Sequence, residues 1–432
     1  MIAIAPHSTH DAVIDAPLSH GGVHALRAAT PEVFAVTGSF RTAAAANRGD
    51  LLLQPLVAAL TTCGSLRHDQ FEMADVLESR GASLSVESEL QRVTFSAQAC
   101  SVDLPLVVEL LAECLRQPRF DADSFVTEQA RLIAELEYRA ADPTAMAADT
   151  LSRALYPSSH PRHQIDLAEQ VARLQRFTVE DVRSYHREHF GANDLCIVVL
   201  GDIDPRAAVA TIDGQLSSWP PSRVQRPDDA MAAVGSHSHS DSEQIIRIAA
   251  PGREHFEIAL GCRLGIRCDH PDYIALWMAN HMLGATFSSR LVTAVREEQG
   301  LTYAIRSQLS KPHREFDGHW QIDLSLSPDK LDAGLAATHA EIARFVDGGV
   351  SAHELAAKQR EAIGAFQISL ATLYGLSETM LFGIERGWGA DYRHDFVSKI
   401  GAVTVAQVNR VIKQHLRPAA LRTAIAGPFA NA

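Results

Sequence analysis

Residues 288 to 303, "SSRLVTAVREEQGLTY", place a guanidinium (Arg296) and a phenol (Tyr303) on either side of a corner at Gly300. An always-protonated guanidinium and a phenolic O–H are donors suited to a peptide carbonyl, or to the oxyanion that develops from it during hydrolysis. The pattern before Gly300 reads as a helix stopped at that glycine, and the pattern after it as a strand starting near Thr302. The plain account of the pair needs no function: a cation in the last helical turn is favoured by the helix dipole, and Tyr303 would share a strand face with Ile305 as core tyrosines do.

Other chemistry is sparse. His186 and His189 lie one turn apart in "YHREHF" with Glu188 between them, the outline of a ligand pair. However, His189 recurs as His415 in a second copy of the segment, where Ile412 matches His186, so the shared histidine reads as helix packing. The "HSHSD" at 236–240 has linker composition. No G-x-S-x-G elbow, Walker loop or dinucleotide glycine pattern occurs. Cys63, Cys100, Cys114, Cys196, Cys262 and Cys268 sit mostly in apolar runs without C-x-x-C spacing, which favours reduced, inert packing residues.

The elements that must position these residues come in two sets. "TVEDVRSYHREHFGANDLCIVVLG" from Thr178 and "TVAQVNRVIKQHLRPAALRTAIAG" from Thr404 superimpose at an offset of 226, carrying Val182 to Val408, His189 to His415 and Gly201 to Gly427. Each copy opens with a Thr N-cap, continues as an amphipathic helix and ends in a short apolar strand closed by Gly, which points to duplication. Within the first half, Asp69 and Glu72 form a capping box for a helix that Gly81 closes, and Val93, Phe95 and Ala97 alternate as a strand. The second half repeats this order, with strands at "TYAIRSQL" and "HWQIDLSL" and long helices from Lys330 onward. Helices and antiparallel strands segregated in this way predict an α+β chain. Its boundaries are expected at 1–213 and 243–432, with a Pro-, Ser- and His-rich linker at 214–242.

A chain of 432 residues exceeds the usual size of one core, and 46% apolar residues suffice for two. The net charge of -13 is spread along the chain with no basic stripe, which argues against nucleic acid. No run of eighteen apolar residues suggests a membrane span. Without a basic leader or a long apolar segment at the start, the cytoplasm is the expected compartment, or the periplasm if the numbering begins at a processed end.

Three stretches carry a family resemblance: "FDADSFVTEQARLIAELEYRAADPTAMAADTLSRALYPSSHP", "TVEDVRSYHREHFGANDLCIVVLGDIDP" and, most specifically, "LGATFSSRLVTAVREEQGLTYAI". From about residue 35 onward the chain resembles the pitrilysin/insulinase family of zinc peptidases, processing-peptidase branch. The resemblance implies two homologous domains, each a mainly antiparallel sheet covered by helices, arranged as a clamshell. The family's helical His-x-x-Glu-His, two zinc-binding imidazoles and a general base, falls here on "PLVAA". Pro55 and Ala59 replace the imidazoles and Ala58 the base, while Glu135 in "LIAELEY" remains at the third-ligand position as a vestige. No cofactor is therefore expected in this chain.

In two-chain members an Arg and a Tyr at the spacing of Arg296 and Tyr303 reach the scissile peptide from the chain without zinc. The resemblance accordingly implies a non-catalytic subunit, inactive alone. It would pair as a heterodimer with a homologous, zinc-bearing His-x-x-Glu-His chain and act on peptides. The alternative is a structural scaffold, like respiratory-complex core proteins of this fold, or a peptide-binding subunit that does not cut.

Overall fold

The computed structural model describes residues 13–42, 52–222, 244–311 and 313–429. Most of the expected linker, including "HSHSD", lies outside the described residues; its first residues end the helix Pro205–Leu216.

Two sheets carry the fold. The first, β1 (Ile14–Leu18), β2 (Gly21–Arg27), β3 (Val33–Arg41), β4 (Ser83–Glu89), β5 (Arg92–Cys100) and β6 (Leu195–Gly201), has the order β1-β2-β6-β3-β5-β4. The second, β7 (Gln244–Ala249), β8 (Phe256–Arg263), β9 (Ile305–Leu309), β10 (His319–Leu326) and β11 (Arg422–Gly427), has the order β7-β11-β8-β10-β9. β6 runs parallel to β2 and antiparallel to β3, just as β11 runs parallel to β7 and antiparallel to β8. Apart from β1, the two topologies are the same, so the internal repeat is a repeat of architecture. Both sheets are mainly antiparallel and helix-covered, as expected of an α+β chain.

Local chemistry sets the elements. Asp69 and Glu72 form the capping box of helix Gln70–Glu78. Thr178 with Asp181 and Thr404 with Gln407 do the same at the two copies of the repeated helix, Val179–His189 and Val405–His415. At the strand ending the first copy, Gly201 has φ +145° and a Cβ there would meet Val33 O at 2.3 Å, so only glycine fits. β5 buries Val93, Phe95, Ala97 and Ala99 on one face, the alternation its sequence shows.

Two compact units result. Unit 1 comprises residues 1–134, 169–226 and 368–393, and unit 2 comprises 135–168, 227–367 and 394–432. Each sequence half holds one sheet, yet each unit also takes a helical segment from the other half. In unit 1, helix Leu373–Glu385 packs Leu373, Met380 and Leu381 against Ala35, Val198 and Leu200. A polar clasp joins this packing: the Ser39 hydroxyl donates to Glu385 (2.5 Å) and accepts from Arg92 (2.8 Å). In unit 2, helix Pro143–Leu155 sets Ala147 and Leu151 on Ala259, Ala424 and Ala426, small residues that let helix and sheet approach closely.

The same segment is fastened by a buried polar network. His160 Nδ1 accepts the Arg162 backbone N–H (3.1 Å), so its Nε2 carries the proton and donates to Asp317 (3.0 Å). Arg263 donates to both Asp317 oxygens at 2.7 and 2.9 Å. Burial alone would raise the Asp317 carboxyl, but hydrogen bonds from His160 and Arg263 hold it below its ordinary value. Tyr156 stacks on His160 at 4.2 Å and donates its hydroxyl to His319 Nδ1 (3.0 Å).

Burial pushes the imidazoles of His186 and His319 down to about 4. Because these folded-state values lie below the unfolded one, the unfolded chain binds protons more tightly at intermediate pH. Their contribution is complete above about pH 6.5 and is lost as pH falls toward 4, on the order of 3 kcal/mol for each ring. Urea midpoints measured at pH 7.5, 5.5 and 4.5 should fall accordingly, and His186→Gln/His319→Gln should flatten the slope; an unchanged slope in that variant would refute the assignment.

Candidate functional site

The helix expected to carry a metal motif is present as Leu53–Thr61. Pro55 sits exposed in its first turn, where a missing N–H is tolerated, Ala58 is buried and Ala59 half-buried. None of the three side chains can bind a cation. What holds the helix instead is Gln54, whose carbonyl accepts from Thr42 (2.5 Å) and Tyr185 (3.1 Å). Its amide donates toward Ser88 Oγ, Glu89 O and Arg92 O at 3.0, 2.6 and 2.9 Å. A buried amide tied to both chain ends of the β4–β5 hairpin is a structural anchor, and its role is invisible in the local pattern. Glu135 is exposed on helix Ala122–Ala140.

His186 is buried, facing the Leu115 carbonyl at 2.9 Å and packed edge-on against Phe120. That is a packing role. Among the described residues no cysteine is in a disulfide, and burial raises the thiols of Cys63 and Cys262 to about 11 and of Cys114 and Cys196 to about 12. Protonated thiols of this kind are poor nucleophiles.

One group among the described residues has metal-like geometry: His270, Asp272 and His415. Asp272, however, pairs with both ends of the Arg410 guanidinium and with His415 Nε2 at 2.9 Å. The Arg410 hydrogen bond, followed by the one from His415, holds its carboxyl down at about 2. A dication would have to displace a guanidinium already seated there, so the group is an ion-pair network joining helices Tyr273–Asn280 and Val405–His415. Sequence reading found only His415, because His270 and Asp272 look like ordinary loop residues.

The Arg296 and Tyr303 corner is well defined. The helix before it runs through Arg290 and Leu291 into a π-helical stretch, Val292–Glu298, with Leu291, Val292, Ala294 and Val295 buried. It stops at Gly300, φ +59°, where the Leu301 N–H returns to Val295 O at 3.0 Å. The strand expected from near Thr302 starts only at Ile305. The Thr302 hydroxyl donates to Ser325 O (2.6 Å) and accepts the Ala304 N–H (3.2 Å), replacing ladder bonds with a local turn. As a result Tyr303 does not share the buried face of Ile305: it is 84% exposed.

Its ring instead meets Arg296, whose guanidinium carbon lies 4.9 Å from the Tyr303 centroid and 5.0 Å from that of Phe287. Phe287, which the sequence reading passed over, is 66% exposed. Each cation–aromatic contact at so open a site contributes about 0.5–1 kcal/mol. Arg296 also pairs with Glu297 at 3.2 Å. The arrangement leaves the phenol on the surface beside a guanidinium whose side chain is 30% exposed.

A duplicated α+β chain with an Arg and a Tyr in contact beside a glycine stop, and with Pro and Ala where metal ligands are expected, has the character of a peptidase relative without metal ligands. Models of the insulinase family (peptidase family M16) match residues 56–165, and of the peptidase M16 inactive domain residues 176–361, together more than half the chain. The chain belongs to peptidase family M16, and as it contains no His-x-x-Glu-His it is an inactive-type member.

It is 20% identical over 371 residues to "Non-peptidase homolog YmxG" of Helicobacter pylori, covering 85% of this chain and 83% of that protein. It is 21% identical to an uncharacterized zinc protease of Streptomyces coelicolor, covering 90% and 83%. Among solved structures, a peptidase M16 inactive domain from Pseudomonas fluorescens superimposes with a TM-score of 0.85 at 22% identity, covering 97% of this chain and 98% of that one. At that identity the likeness shows the fold alone.

Proposed function

We propose that this chain is the non-catalytic subunit of a two-chain zinc metallopeptidase, supplying Arg296 and Tyr303 to a site whose zinc and general base lie on a homologous partner. The observation that carries the reading is the exposed Arg296–Tyr303 contact in a chain with Pro55, Ala58 and Ala59 where the family places its ligands. A core tyrosine would have supported the plain account; a solvent-facing one needs a different reason to be held on a guanidinium.

The partner's zinc would polarise the scissile carbonyl and activate water. This chain's part is to hold the substrate backbone. The Arg296 N–H edge and the Tyr303 O–H donate to the carbonyl oxygen, and their bonds strengthen as charge builds there. Among the described residues no helix is long and apolar enough to cross a membrane.

Co-expression with a family member bearing His-x-x-Glu-His is the direct test. The purified pair should cleave a quenched fluorescent peptide in a chelator-sensitive way. This chain alone should show no cleavage and hold far less than one equivalent of zinc. A partner equally active without this chain would support the scaffold reading; cleavage or tightly bound zinc in the isolated chain would overturn the proposal.

A further inference from the structure

Phe287 is a large apolar side chain left in water, so burial cannot fix where its ring lies. Its backbone does. The turn Thr286–Ser289 is closed by the Ser289 N–H on Thr286 O (3.1 Å), and the two hydroxyls flanking Phe287 are taken by one ammonium. Lys358, on helix Ala352–Ser369 and 6% exposed, donates to Thr286 Oγ1, Ser288 Oγ and Glu361 Oε2, each at 2.7 Å. All three of its N–H donors are thereby used. The same helix secures the next residue but one: Arg290 donates to both Glu354 oxygens at 2.8 and 2.7 Å and to Gly349 O at 2.8 Å.

A lysine is seldom buried without a specific reason, since its ammonium must be fully paired. Here the pairing reaches across 72 positions to the two residues either side of the ring that lies against Arg296. We propose that Lys358 is a positioning residue: through Thr286 and Ser288 it holds Phe287 against the Arg296 guanidinium, and so aims the N–H edge that meets the peptide. The inference rests on the role of Arg296 given above. Phe287 thereby joins Tyr303 in holding the guanidinium, the two ring centroids lying 5.0 and 4.9 Å from its carbon.

Two arms test this. In the isolated chain, the NMR order parameter of the Arg296 Nε–H should fall in Lys358→Met, in Thr286→Val/Ser288→Ala and in Phe287→Ala. The double variant leaves the Lys358–Glu361 pair in place and so guards against a fold defect in Lys358→Met. In the reconstituted pair, Phe287→Ala should lower kcat/KM about tenfold, as a misaligned contact does, with the loss falling on kcat as well. On an Arg296→Ala background the same change should cost no more than about twofold, because the two residues act as one unit.

An unchanged Arg296 order parameter in all three variants, or an equal cost of Phe287→Ala with and without Arg296, would overturn the inference. Failure of the composite site itself looks different. Arg296→Ala would then turn over normally, while the NMR arm still decides whether Lys358 positions it.

Discussion

Arg296→Ala in the reconstituted pair is expected to lower kcat/KM by about 10²–10³-fold, the usual loss when one fixed donor to a developing oxyanion is removed. Tyr303→Phe, which deletes one O–H and keeps the ring on the guanidinium, should cost roughly tenfold or more. Both variants should assemble as the parent does by sedimentation, since Tyr303 is exposed and Arg296 pairs with its sequence neighbour Glu297 at 3.2 Å. The loss should fall on kcat as well as kcat/KM, because a bond that strengthens with developing charge counts more in the transition state than in the bound substrate. Turnover within twofold of the parent in both variants would return the pair to a cation at a helix end and a surface tyrosine.

The second large effect concerns stability. Asp317→Ala removes the carboxylate that pairs with Arg263, a guanidinium with 4% of its side chain exposed, and with His160. Removing one partner of a buried ion pair should destabilise the protein by roughly 3–5 kcal/mol. Arg263→Met/Asp317→Leu, which replaces both charges with apolar groups, should recover much of the loss, as the penalty comes from an uncompensated charge. Denaturant titration followed by hydrogen exchange of the β8 and β10 amides reads the effect where it arises. Near-parental protection of those amides in Asp317→Ala would show that the network adds nothing to the fold.

Local signals were legible because they are local. The capping boxes at Asp69, Thr178 and Thr404, the stop at Gly300 and the alternation of β5 each depend on residues within a few positions of one another. The duplication was legible for the same reason, as one pattern written twice. The candidate site was half legible. Arg296 and Tyr303 are legible in the sequence, but the outward turn of the phenol is not, since nothing in "LTYAI" shows that the Thr302 hydroxyl bonds to Ser325 O. Phe287 passed for a loop residue. Nothing local marks Lys358, because its three acceptors are two residues some seventy positions earlier and one a single turn later.

The amino-acid sequence alone determined the α+β class, the repeated helix–strand module, the absence of metal-binding side chains at Pro55, Ala58 and Ala59, and the presence of an Arg–Tyr pair after a glycine stop. These depend on side-chain identity and short-range hydrogen bonding. Tertiary structure decided which helix covers which sheet: Leu373–Glu385 lies on the first sheet and Pro143–Leu155 on the second, each from the other half of the chain. An amphipathic helix states only that it has an apolar face. The choice of sheet for that face depends on matching small and large side chains and on distant polar clasps, Ser39 with Glu385 and Arg263 with Asp317, which no local pattern encodes.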